Sequence, residues 1–339
     1  MGTTMLLPIT FGLCSCNVPA PQGPVKKLNV ARVAAPTVLF VPVEKDVKLE
    51  VIDWGGTGRP LILLAGLGGT AHDYDSFAPK LVPAYHVYGI TRRGYGASSK
   101  PAPDCNNYSA DRMGDDVLQV MEALRLAPPV LVGHSVAGEE LSSVGSRFPE
   151  KIAGLIYLEA GYAYAYYDAH AAVGDPPVDM AVARKQMEQL VSPISPRERK
   201  AVVKQLLETS LPRLERELKA QRQHLETVPD NAPAPPDTPD VRFGFAIQRG
   251  VQEYTGVKCP VLAIFAVPHK LEPYPGMSAA AQATAAAEEL ASTSAQANAF
   301  QAGNPSAQVI RLANADHYIY RSNEADVLRE MNAFLAKLP

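Results

Sequence analysis

The chain has 339 residues, 47% hydrophobic and 20% charged, with 32 Lys and Arg against 35 Asp and Glu for a net charge of −3. This is the composition of an ordinary globular protein, with apolar content for one large core or two modest ones. Nothing in it forms a basic footprint for nucleic acid. There is also no zinc-type spacing of Cys and His, no Walker loop and no His-Glu-x-x-His, so metal chemistry is not expected.

In chain order, residues 5–13 are a short apolar stretch, too short to span a bilayer. Cys14-Ser15-Cys16 and the Pro-rich tether Val18 to Pro24 follow. The pattern is that of a bacterial export-signal core with a poor lipobox-like site, although no Lys or Arg precedes Lys26. Export is favoured over a disordered cytosolic tail, and residues 1–36 are read as leader and tether. No other segment is suited to cross a membrane. Thr37 to Pro42 and Val47 to Trp54 alternate as two strands around the charged turn Glu44-Lys45-Asp46. Pro60 to Ala65 is a continuous apolar run, as in a strand buried on both faces, and ends in Gly66-Leu67-Gly68-Gly69. A helical stretch is expected through Leu81, then a strand from Tyr85 to Thr91 leading into Arg92-Arg93-Gly94-Tyr95-Gly96. Asp111 to Leu126 is an amphipathic helix. The run Pro129-Val130-Leu131-Val132 enters Gly133-His134-Ser135-Val136-Ala137-Gly138 and a helix stopping near Phe148-Pro149, followed by a strand from Ile152 to Leu158.

From about Gly161 to Gly256 the composition turns helical and charged. Ser195-Pro196-Arg197-Glu198 is a capping box with proline at the first helical position. The helix runs on to His224 with a kink at Pro212, and Val228 to Asp240 is a stiff irregular linker. A strand at Pro260 to Ala266, an Ala-rich helical insertion from Ser278 to Gln301, a strand at Ala307 to Leu312 and a last helix from Glu324 to Leu338 complete the chain. Alternating strands and helices build a mostly parallel, doubly wound sheet. The division is core at 37–160, helical cap or lid at 161–256, and core again at 257–339. Cys105 and Cys259 are expected as free, partly buried thiols, a bridge between them being the alternative.

A serine at the apex of a sharp strand-to-helix turn needs almost no side-chain volume two positions away on either side. Gly133 meets that need before Ser135; after it stands Ala137, with Gly138 one step on. Read alone, Ser135 is equally an ordinary helix cap, and Gly66-Leu67-Gly68-Gly69 a phosphate cradle, although Gly69-Thr70-Ala71-His72 lacks the lysine that a phosphate loop wants. Taken together and in order, Ala65 to Gly69, Arg92 to Gly96, Gly133 to Gly138 and Asp316-His317-Tyr318 resemble the α/β-hydrolase superfamily, of the serine esterase or lipase kind with a helical lid. The resemblance runs from about Thr37 to the C-terminus and departs from the pattern at Ala137.

The resemblance implies Ser135 as nucleophile and His317, on the loop after the last strand, as base. His134 neighbours the nucleophile, His86 lies in a strand and His224 in the lid. His72, His170 and His269 are loop or lid residues without the right place in the order. The acid commonly follows the strand Pro260 to Ala266, yet no carboxylate appears there before Glu272. Glu159, at the end of the preceding strand, is therefore favoured over Glu272. The oxyanion donors would be the N–H groups of Leu67 and Val136, and Gly66, His134, Tyr162 and Tyr164 are candidates for lining the substrate pocket. The tyrosines between Tyr162 and Tyr167 serve equally well as packing where lid meets sheet. The expected activity is cleavage of a small-molecule carboxylic ester without cofactor. Alternatives are an amide, lactone or C–C substrate, or a binding protein with little turnover. Haloalkane dehalogenases and epoxide hydrolases, which share the fold, use aspartate as nucleophile, so Ser135 argues against both.

Overall fold

The apolar runs become strands β1 Thr37–Glu44, β2 Val47–Gly55, β3 Pro60–Leu64, β4 His86–Ile90, β5 Val130–His134, β6 Gly154–Leu158, β7 Val261–Ala266 and β8 Gln308–Leu312. The computed structural model describes residues 35–168, 176–226, 228–270 and 278–339, which fall within one compact unit. Residues 1–34 of the expected leader and tether, with Cys14 and Cys16, lie outside the described residues, as do His170 and Glu272. The strands form one sheet in the order β1-β2-β4-β3-β5-β6-β7-β8. Strand β2 is antiparallel to both β1 and β4, and every pairing from β4 to β8 is parallel. Parallel neighbours require crossover connections, and these supply α1 Ala110–Ala123, α2 Gly138–Arg147, α3 Pro176–Leu190, α4 Pro196–Gln205, α5 Leu211–Leu225, α6 Pro239–Gly250 and α7 Ala279–Gly303, while α8 Ile319–Ser322 and α9 Glu324–Leu335 follow the last strand.

Alternation along the strands sorts the core onto two faces. Ile62, Leu64, Leu131, Leu155, Tyr157 and Phe265 face Val117 and Val120 of α1, Leu141 and Val144 of α2, and Ala297 and Phe300 of α7. Leu61, Leu63, Val130, Val132, Ile156 and Ile264 face Tyr74 and Phe77 on one side and Ile319, Val327, Met331 and Phe334 on the other. Phe300 anchors the Ala-rich helix α7, its ring centroid 5.1 Å from Tyr157 and 5.8 Å from Phe265. Burial of one such ring stabilises the attachment by roughly 2–3 kcal/mol. The chain is thus an α/β protein with helices on both faces of a mixed, mostly parallel sheet.

Two local expectations are modified. The helix expected through Leu81 is instead two short 3₁₀ turns, Ala71–Tyr74 and Ala78–Lys80. The buried Tyr74 and Phe77 stand three residues apart, and the Tyr74 hydroxyl donates to Leu64 O at 2.9 Å, tying the segment to the sheet. Three-residue spacing aligns side chains in a 3₁₀ turn. The kink expected at Pro212 takes the form of a π turn at Leu206–Ser210, between α4 and α5. Proline lacks the N–H that would bond four residues back and crowds that carbonyl, so the backbone widens just ahead of it. The capping box is present: Ser195 Oγ accepts from Glu198 N, and Glu198 Oε2 accepts from Ser195 N at 2.7 Å. Helices α3 to α6 form the helical insertion between β6 and β7, and α3 and α5 are pinned by the buried pair Arg213–Asp179 at 2.6 Å. Cys105 is exposed and Cys259 half-buried; both are free. Among the described residues no helix is long and apolar enough to cross a membrane.

Candidate active site

Strand β5 delivers Ser135 to the carboxyl end of the sheet, where the backbone enters a 3₁₀ turn, Ser135–Ala137, and then α2. Ser135 has φ +53°, a left-handed conformation that an L-residue holds only when its surroundings enforce it. The enforcing contacts are visible in the glycines. A Cβ on Gly133 would stand 2.9 Å from Leu141 Cδ1, and one on Gly138 would stand 2.0 Å from the carbonyl oxygen of Ala160. The close approach after the serine therefore falls on residue 138. Ala137 is accommodated, its side chain wholly buried. That resolves the one departure within the motif.

The loop after β8 carries His317 over the serine, with Nε2 2.9 Å from Ser135 Oγ and Nδ1 3.3 Å from Glu159 Oε2. Glu159 directly follows β6 and also sits at positive φ, +50°. Two adjacent parallel strands thus end in the same strained conformation, one offering a hydroxyl and the other a carboxylate. Glu159 is fully buried and well supplied with donors. Ala266 N donates to Oε1 at 2.5 Å, while His269 Nε2 at 2.6 Å and the Tyr162 hydroxyl donate to Oε2. Burial alone would raise its pKa; hydrogen bonds from His269, His317 and Tyr162 outweigh that and hold the carboxyl at about 2. An ionised carboxylate only accepts, so the neutral His317 ring carries its proton on Nδ1 and leaves Nε2 to accept from Ser135.

The glycine-rich loop after β3 lies against the serine: a Cβ on Gly66 would come within 3.2 Å of Ser135 Cβ. Arg92 fastens this loop from below, donating to Ala65 O at 2.9 Å and Gly66 O at 3.2 Å. Its guanidinium is buried and held in turn by both oxygens of Glu140 on α2, at 2.5 and 3.0 Å. Leu67 follows with 44% of its surface exposed, and Val136, next after the serine, is half-buried. Beside Leu67 a cleft of about 360 Å³ opens between the loop, Tyr95 and helix α6, with Val241 and Phe245 on its wall.

The other candidates from sequence occupy definite places. His134 is buried; its Nε2 donates to the carbonyl oxygen of His317 at 2.8 Å. Burial drives its pKa down to about 4, so it is neutral and steadies the His317 backbone. Tyr162 bonds Glu159 and packs on Phe265 and Tyr164, the geometry of a lid–sheet joint. Two features escaped the sequence reading. One is the Arg92–Glu140 clamp. The other is His269, set aside there for lacking the right place in the order, which bridges Glu159 and Glu289 of α7, with Nδ1 2.5 Å from Glu289 Oε1. A signal existed for it: His269 stands just after β7, where a carboxylate is commonest. Glu159, His269 and His317 also form the one cluster of possible metal ligands among the described residues, with ligand atoms within 4.8 Å of one another. The 2.6 Å between His269 Nε2 and Glu159 Oε2 is a hydrogen-bond distance, shorter than the roughly 3.3 Å separating ligands around a tetrahedral zinc ion.

With this geometry in place, the comparisons with known proteins fall into line. Residues 59–239 match the family model described as the alpha/beta hydrolase fold. The chain is 34% identical to a fluoroacetate dehalogenase of a Burkholderia species over 116 residues, 34% of this chain and 38% of the relative. It is 30% identical to the sn-1-specific diacylglycerol lipase ABHD11 of Xenopus tropicalis over 116 residues, 34% of this chain and 36% of the relative. The matched segment thus spans less than half the length of these curated relatives. A crystal structure of a putative acyltransferase from Salmonella enterica superposes with a TM-score of 0.58 over 91% of this chain and 97% of that one, at 15% identity, a likeness of fold. The family match covers more than half of the sequence, and the chain belongs to the α/β-hydrolase fold family.

Proposed function

We propose that the protein is a serine hydrolase that cleaves a carboxylic ester through an acyl-enzyme intermediate. The observation that carries this reading is the continuous path from Ser135 Oγ through both nitrogens of His317 to the buried, ionised Glu159. Ser135 attacks the ester carbonyl while His317 Nε2 takes its proton, and Glu159 stabilises the imidazolium that results. The tetrahedral oxyanion is held by the N–H groups of Leu67 and Val136; one such donor is worth about 3 kcal/mol in the transition state. Collapse breaks the ester C–O bond, and His317 returns the proton to the departing alkoxide. Water, deprotonated by the same imidazole, then releases the acid from Ser135.

The relatives include enzymes named for lipase and dehalogenase activity, and the nucleophile separates the two. A serine oxygen displacing halide from carbon would leave an ether, which the same machinery cannot hydrolyse. A serine acylated by an ester is hydrolysed readily. Turnover of p-nitrophenyl acetate and butyrate beside matched anilides and a lactone tests the proposal. Esters are expected to be the fastest, with Ser135→Ala lowering their kcat by ~10³-fold or more while the protein stays folded. Undiminished turnover by the Ser135→Ala protein would overturn the mechanism, and a faster anilide or lactone would move the substrate class.

A further inference from the structure

Resting on the serine-hydrolase reading, we infer that His269 and Glu289 are positioning residues for the reaction: His269 acts as a resident cation that fixes the Glu159 carboxylate, and Glu289 holds His269 in place. His269 Nε2 lies 2.6 Å from Glu159 Oε2 and Nδ1 lies 2.5 Å from Glu289 Oε1. Both partners are carboxylates and can only accept, so both ring nitrogens must donate. A neutral imidazole has one N–H and satisfies one carboxylate; the other contact would set two acceptors face to face. The hydrogen bond to Glu159 raises the His269 pKa to about 9, against the opposing effect of burial, with the charges of Glu159 and Glu289 adding to the rise.

The groups facing this ring come from each element around it. Glu159 and, through it, Tyr162 lie beyond β6. Glu289 comes from α7, and His317 from the loop after β8, its ring centroid 6.1 Å away. Lys270 adjoins along the chain. A parallel bridge pairs His269 with Ala315, so the segments carrying His269 and His317 are tied by backbone as well. Glu159 Oε2 therefore stands between two imidazoles, closer to His269 than to His317 by 0.7 Å (3.3 against 2.6 Å). The cation keeps Glu159 aimed and takes up part of its charge. Helix α7 reaches the reaction centre by this route, through Glu289, His269, Glu159 and His317 to Ser135.

Two measurements test the pair. The first follows the ring nitrogens of His269 by NMR in ¹⁵N-histidine-labelled protein, independent of any turnover. Both nitrogens should remain protonated up to about pH 9, as the raised pKa requires. In Glu289→Gln the midpoint should fall by about one unit, an anionic hydrogen-bond partner having become neutral. The second is the pH profile of p-nitrophenyl butyrate hydrolysis. His269→Gln should lower kcat ~10-fold with KM within about twofold, the loss of one charge-assisted hydrogen bond. The parent profile should carry an alkaline limb near pH 9, which His269→Gln should abolish and Glu289→Gln should move to lower pH. A His269 midpoint at the ordinary histidine value, or an unchanged kcat and limb in both variants, would overturn the inference. Should esters not be turned over at all, the NMR titration still decides the charge of His269, so the two failures are distinguishable. Glu289 lies at the partly exposed rim, so its variant remains informative if His269→Gln does not fold.

Discussion

His317 stands between two histidines whose surroundings force opposite behaviour. On the β5 side, His134 is buried next to Ser135, its Nε2 is bonded to a carbonyl, and its pKa is pushed down to about 4. On the β7 side, His269 is wedged between two carboxylates, and its pKa is lifted to about 9. One is a neutral strut for the His317 backbone, the other a charged clamp on Glu159. Residue type says little about charge here; the acceptor each ring finds decides it.

The sharpest way to break this contrast is Glu159→Gln. Removing the acid should lower ester kcat by ~10³–10⁴-fold. It should also neutralise the principal hydrogen-bond partner of His269 and bring its NMR titration down towards the ordinary value, while leaving His134 neutral at neutral pH. If kcat falls and His269 still titrates near pH 9, the charge of that ring has another source. A smaller effect concerns stability. His269 has a folded pKa above its unfolded value of about 6.5, so its stabilising contribution is complete below pH 6.5 and disappears as pH rises through about 9. His134 has a folded pKa below that value, so its contribution is complete above pH 6.5 and disappears as pH falls through about 4. Urea unfolding across pH 4–10 should therefore give greatest stability near pH 6.5, and His269→Gln should flatten the alkaline slope alone. Equal slopes in parent and variant would remove His269 from the account.

Much of the fold was legible because β5, β6 and β7 are runs of apolar residues buried on both faces, and the turns between elements are marked by Gly and Pro. Ser135, Glu159 and His317, singled out by order along the chain, are the three that the structure brings together, since each follows the end of a strand whose place in the sheet is set by topology. The 3₁₀ turns at Ala71–Tyr74 and Ala78–Lys80 were not legible. Their form depends on Tyr74 reaching Leu64 O and Phe77 packing under Tyr320. The Arg92–Glu140 clamp joins residues 48 apart, and the His269–Glu289 bridge joins a loop to a helix read only as Ala-rich. No local pattern encodes such pairs. What the sequence did carry was the anomaly itself, a histidine at 269 where a carboxylate is customary, and it gains meaning only when Glu159 is seen to supply the missing charge.

Activation of Ser135 by His317 and Glu159 can be read out by reaction with a fluorophosphonate and mapping of the adduct by mass spectrometry. A single rapid adduct on Ser135 is expected, slowed by orders of magnitude in His317→Ala. An adduct on a different serine, or equal labelling rates in parent and His317→Ala, would contradict it.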